Sequence, residues 1–146
     1  MANYQHILVA LDFSDEGSNV MERALETAAQ NQAKVSLINV VEYTSAMYAG
    51  DIPVPEELNL DQQLLDQARA RMGEIADRFG ITGGQQLVEI GVPKKEIVGA
   101  AEKLGADLIV IGSHGRHGLQ LLLGSTANGV LHQARCDVLA VRVGKV

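Results

Sequence analysis

The stretch Leu108-Ile109-Val110-Ile111-Gly112-Ser113-His114-Gly115-Arg116-His117-Gly118 joins a continuous apolar run to a glycine-rich segment. A run of β-branched residues with no polar alternation is the mark of a strand covered on both faces, as in a parallel sheet. Four more such runs lie along the chain: Ile7-Leu8-Val9-Ala10-Leu11, Val35 to Val41, a weaker Leu87-Val88-Glu89-Ile90, and Val138 to Val143. Stripes at helical spacing separate them. Val20, Met21, Ala24, Leu25, Ala28 and Ala29 form one, opened by Ser14 or Asp15 as a cap. Leu64, Leu65, Ala68, Met72, Ile75, Ala76 and Phe79 form a second, stopped by Gly80. Pro93 opens a third, with Ile97, Val98, Ala101 and Leu104 inward and Gly105 after its end. The fourth follows Gly124-Ser125 and turns Ala127, Val130, Leu131 and Ala134 inward. This βαβαβαβαβ order predicts an α/β fold: one doubly wound parallel sheet with helices on both faces. The connection from Glu42 to Pro55, with Gly50, Pro53 and Pro55, reads as a loop at the sheet's edge.

Composition narrows the function. The 146 residues carry 12 Lys+Arg and 18 Asp+Glu, a net charge of −6. An acidic balance argues against a general nucleic-acid binder and against docking on anionic lipid. The length suits a single domain over residues 1–146. The single cysteine, Cys136, excludes an internal disulfide and any CxxC motif. It reads as a small buried hydrophobe. The opening apolar run is five residues, short of the ~7–15 of a secretory signal and the ~20 of a membrane span. A cytoplasmic location is expected.

In an open parallel sheet, ligands bind beyond the carboxyl ends of the strands, where the strand order reverses. The segment after the fourth strand holds four glycines between Gly112 and Gly124 and leads into a helix. Glycines let backbone amides approach an anion, and a helix N-terminus adds unpaired N–H groups and a positive dipole end. Ser125, Thr126 and Arg116 add donors and charge, so the parts suit a phosphate. The same glycines could equally serve only to turn the chain. GxxxxGK[ST] and GxGxxG are both absent, as are GxSxG and HExxH. His114 and His117 lack a nearby acidic or thiol residue to complete a metal set. His6 and His132 read as surface or boundary residues, Lys94-Lys95 as a solvated helix start, and Met47 and Tyr48 as loop residues able to cover a pocket or a partner.

Gly112-Ser113-His114-Gly115 with Gly124-Ser125, the opening Ile7 to Ser14, the run Gly105 to Gly112 and the close Cys136 to Arg142 resemble the universal stress protein family across essentially the whole chain. The resemblance implies strand order 3-2-1-4-5. It implies an adenine nucleotide, ATP or AMP, with magnesium entering only alongside ATP. Asp12 and the backbone of Ala10 and Leu11 would face adenine or ribose, and Val40 or Val41 would line the base. Gly112, Gly115, Gly124, Ser125 and Thr126 would hold ribose and phosphates, with His114 and Arg116 within reach of the phosphates. Asp12 could also serve simply to face the amides of the first helix. The family's nucleotide motif has nine residues between its second and third glycines; here residues 116 to 123 make eight. The function implied is a stress-response sensor or adaptor rather than an enzyme, with slow hydrolysis left open. An enzyme that spends ATP to activate a substrate is weaker, since no second constellation is visible. The alternative is a homodimeric interaction module without nucleotide. The resemblance also implies a homodimer paired antiparallel through Val138 to Val143.

Overall fold

The computed structural model describes residues 3–13, 17–42, 60–113 and 124–142. The elements run β1 (His6–Ala10), α1 (Gly17–Asn31), β2 (Lys34–Val41), α2 (Leu60–Phe79), β3 (Gln86–Ile90), α3 (Pro93–Leu104), β4 (Leu108–Gly112), α4 (Ser125–Gln133) and β5 (Asp137–Val141). The strands form one sheet in the order β3-β2-β1-β4-β5, every neighbouring pair parallel.

The apolar runs are continuous because both faces are covered. Ile7, Val9 and Leu11 point to one side with Val20, Met21 and Ala24 of α1 and Met72 and Ala76 of α2. Leu8 and Ala10 point to the other, against Ile97, Ala100 and Ala101 of α3 and Ala127 and Val130 of α4. Ile7, Leu8, Ile109 and Val110 are wholly shielded from water. Each such side chain contributes roughly 1.5–3 kcal/mol by leaving water. The two outer strands, β3 and β5, are only half-buried. Two side chains read as inward are not: Leu131 is 43% exposed and Ala29 is exposed, because each lies just past the edge of its helix's buried stripe. Cys136 is half-buried, and burial, then Asp137, pushes its thiol pKa up, away from a reactive thiolate.

Three helices close with the same turn. Ile81 N donates to Ala76 O after α2 at 2.9 Å, and Ala106 N to Ala101 O after α3 at 2.9 Å, with Gly80 and Gly105 left-handed at φ 67° and 68°. After α1, Ala33 N donates to Ala28 O at 2.9 Å, but the left-handed residue is Gln32 at φ 56°. The proposed caps Ser14 and Asp15 lie outside the described residues, as do Met47, Tyr48 and residues 43–55 of the long connection.

His6 is not a surface residue. It is 7% exposed, where β1, β2 and α3 meet at the amino end of the sheet. Its Nδ1 lies 3.1 Å from the Leu104 carbonyl, which can only accept, so Nδ1 carries the proton. Nε2 then accepts from the Ser36 hydroxyl at 2.6 Å. Ser36 Oγ in turn accepts from Gln85 N at 2.9 Å. Asp107 accepts from the amides of Gln5 and His6 beside it. A second proton would have to enter at Nε2, against this arrangement. Burial first, then the charge of Lys34, holds the ring below its ordinary pKa of 6.5, with the Leu104 carbonyl and Asp107 opposing. His132, by contrast, is exposed, as expected.

Two predictions follow from this end of the sheet. The unfolded chain protonates His6 at higher pH than the folded one, so the neutral ring's contribution is complete above pH 6.5 and declines as pH falls through it. Urea midpoints measured from pH 7.5 to 5 should fall toward acid, and His6→Gln should flatten that dependence. A Cβ at Gly84 would sit 1.9 Å from the Val35 carbonyl oxygen and 2.7 Å from Ser36 Oγ. Gly84→Ala should therefore destabilise by about 1–3 kcal/mol in denaturant titration, with an unchanged m-value.

Candidate functional site

Ala10 pairs with Ile38 on one side and Ile111 on the other, so the exits of β1 and β4 stand side by side at one level. Neighbouring strands lie roughly 4.8 Å apart. From there β1 leads to α1 on one face of the sheet and β4 leads toward α4 on the other. The diverging chains open a crevice at the strand-order reversal.

The β1 side is tightly held. Leu11 is buried, and its N–H donates to Ile38 O at 2.9 Å. Its carbonyl accepts from Asn39 Nδ2 at 2.7 Å. Asp12 follows with an exposed side chain. Phe13 takes a left-handed φ of 60°, and its carbonyl accepts from Arg71 Nη2 of α2 at 3.2 Å. The Arg71 guanidinium also lies 5.4 Å from the centre of the Phe13 ring. On β2, Val40 is half-buried against the α3–α4 core, and the half-buried Val41 accepts from Gly91 N at 3.0 Å.

The β4 side has a neck. Gly112 ends the strand opposite Val141. Ser113, 9% exposed, donates its N–H to Val141 O at 2.7 Å and accepts from Gly124 N at 2.6 Å. The chain thus returns to its starting point before α4 begins. Gly124 is the N-cap of α4, with no side-chain cap, and the first turn holds no acidic residue. Helix geometry leaves the amides of the first turn without carbonyl partners inside the helix. Ser125 is exposed and Thr126 half-buried on that turn. His114, Gly115, Arg116, His117 and Gly118 lie outside the described residues. Of the expected residues, the structure gathers Ala10, Leu11, Asp12, Val40, Val41, Gly112, Gly124, Ser125 and Thr126 at the carboxyl end of the sheet.

The crevice therefore offers a carboxylate on its β1 wall and helix-end amides on its β4 wall. A molecule with hydroxyl or amine donors at one end and an anion at the other matches both. Leu11's own polar groups are engaged by Ile38 and Asn39. Sequence reading did not single out Asn39 or Arg71, and it quoted Ser113 only as part of the glycine-rich segment. Asn39 had a signal: it is a polar residue interrupting the apolar run Val35 to Val41.

A sequence model of the universal stress protein family matches residues 3–142. The chain belongs to the universal stress protein family. Universal stress protein A homolog 2 of Coxiella burnetii is 45% identical over 144 residues, covering 98% of each chain. Homolog 1 of the same organism is 42% identical, over 95% of this chain and 96% of that one. Among solved structures, hypothetical protein MJ0577 superposes with a TM-score of 0.83 at 26% identity, over 99% of this chain and 100% of its own. A universal stress protein in complex with cAMP superposes with a TM-score of 0.64 at 26% identity, over 98% of this chain and 100% of its own. Among the described residues of this universal stress protein, no group of three or more His, Cys, Asp or Glu side chains is placed to hold a metal. No described helix is long and apolar enough to cross a membrane.

Proposed function

We propose that this universal stress protein binds an adenine nucleotide, ATP or AMP, between the β1 exit and the start of α4. It acts in the cytoplasm as a stress-response sensor or adaptor, not as an enzyme, and as one domain per chain. The observation that carries the reading is the Ser113–Gly124 neck, which sets a helix N-terminus with glycine at its N-cap beside the exit that bears Asp12. Amides of the first turn of α4 would donate to phosphate oxygens, joined by the Ser125 and Thr126 hydroxyls. Asp12 would accept from the ribose or the base, Ala10 and Leu11 would present it, and Val40 and Val41 would flank the ring. His114, Gly115 and Arg116 would close the phosphate side, and magnesium would enter only with ATP. A family member held in complex with cAMP supports the class of ligand. The sequence has no nucleophile–base motif, which favours binding over turnover.

Titration calorimetry with ATP, AMP and adenosine tests the reading, and binding of at least one is expected. No heat with any of them, and no nucleotide released from the denatured protein, would leave a nucleotide-free interaction module. Ser125→Asp separates the phosphate site from general damage. A carboxylate there competes for the α4 amides, so ATP and AMP should weaken strongly while adenosine does not. The same carboxylate favours the helix N-terminus by about 0.3–1 kcal/mol, so thermal stability should hold or rise.

We propose further that the protein is a homodimer paired antiparallel through the edge of β5. This strand ends the sheet, and Val138 to Val141 remain half-buried in the single chain. An apolar edge of this kind calls for pairing or cover. Val141 O receives Ser113 N, so Val141 turns its backbone groups toward β4. Strand alternation then turns those of Val138 and Ala140 outward, to a partner. Ala140→Pro should give a monomer by light scattering at micromolar concentration with the sheet intact. A monomeric parent protein would overturn the dimer.

A further inference from the structure

We propose that Asn39 and Arg71 are positioning residues that hold the Leu11–Phe13 turn in one conformation, so that Asp12 meets the nucleotide already in place. The inference rests on the nucleotide reading above and extends it to two residues that stand off the ligand.

Three observations carry it. Phe13 is bulky and has a φ of 60°, a left-handed conformation that is strained for a non-glycine residue. Such a residue persists only where its surroundings over-determine it, and such residues gather at ligand clamps. The surroundings here are two independent elements. Asn39 of β2, 6% exposed, is a polar side chain in an otherwise apolar layer. A buried amide is costly unless bonded, and this one donates to Leu11 O at 2.7 Å, one residue beyond the end of β1. Arg71 reaches from α2, donates to Phe13 O at 3.2 Å and covers the Phe13 ring. Both residues grip backbone carbonyls on either side of Asp12, whose side chain is exposed.

The energetic consequence is preorganisation. A turn already fixed in its bound form loses less conformational freedom when ligand arrives. Asn39 and Arg71 therefore act on affinity through Asp12, and equally for every ligand that uses Asp12, whatever its phosphate count. A residue that touched phosphate itself would discriminate among ATP, AMP and adenosine.

The test uses the full-length protein with ATP, AMP and adenosine as probes, by calorimetry and thermal unfolding. Arg71 is exposed, so Arg71→Met should fold with its midpoint lowered by no more than the loss of one surface hydrogen bond. It should weaken all three probes by one common factor of about three to ten, the worth of one net hydrogen bond. Arg71→Lys, which keeps a cation and a donor, should recover part of that loss. Asn39→Leu should weaken the probes in the same uniform way; if it unfolds, the Arg71 variants decide. Arg71→Met binding all probes as the parent does would overturn the inference and leave the nucleotide reading standing. Loss confined to ATP and AMP would overturn it too, by making Arg71 a phosphate contact. If the parent protein binds none of the probes, the nucleotide reading fails and this inference with it.

Discussion

A strand that is apolar on both faces must be covered twice, and the rest of this molecule follows from that requirement at β1. All five of its residues are buried, and its side chains alternate between two helical layers. Right-handed crossovers running outward from β1 through β2 to β3 put α1 and α2 on one face, and the reversal of direction at β4 puts α3 and α4 on the other. β1 and β4 are neighbours whose following helices lie on different faces, so the chain parts above them and a crevice is unavoidable. The crevice is thus a by-product of core formation.

The two ends of the sheet treat polar groups differently. At the amino end, His6, Ser36, Gln85 and Asp107 satisfy one another and close that end around buried hydrogen bonds. Tyr4 adds a bond from its hydroxyl to Asp137 at 2.7 Å, which together with burial raises the phenol's pKa. At the carboxyl end, Asn39 and Ser113 are likewise committed to backbone partners, Asp12 is exposed to solvent, and the N-cap of α4 is a glycine with no side chain to offer. A universal stress protein built this way has a base stapled by hydrogen bonds and a rim that carries Asp12 and the start of α4. Polar residues inside the sheet sort by which end they serve: Ser36 toward the base, Asn39 toward the rim.

Much of this was legible in the residues. Unbroken apolar runs required two-sided cover, and Gly80, Gly105 and Pro93 marked helix ends because their backbone preferences are local. The end of α1 was not marked, since Gln32 carries no such preference and takes its left-handed turn because Ala33 is drawn back to Ala28. Asp12, Gly112, Gly124 and Ser125 were legible as candidates because each sits directly at a strand exit or a helix start. His6 read as a boundary residue because a lone histidine at a strand start says nothing about what packs over it. Leu87, Val88 and Ile90 made a weak strand signal, in keeping with an edge position where one side lacks a neighbour.

The sequence by itself determined the alternation of strands and helices, the two-faced core and the glycine-rich exit, because periodicity and backbone preference are properties of short stretches. Strand order came from family resemblance and pairing, not from any single run. Only the tertiary structure decided that Asn39 would hold Leu11, that Arg71 would reach Phe13 across 58 positions of chain, and that Ser113 would meet Gly124. Those contacts join residues from different elements. Hydrogen bonds require a donor and an acceptor within about 3.2 Å, and only the packed sheet and helices bring them there.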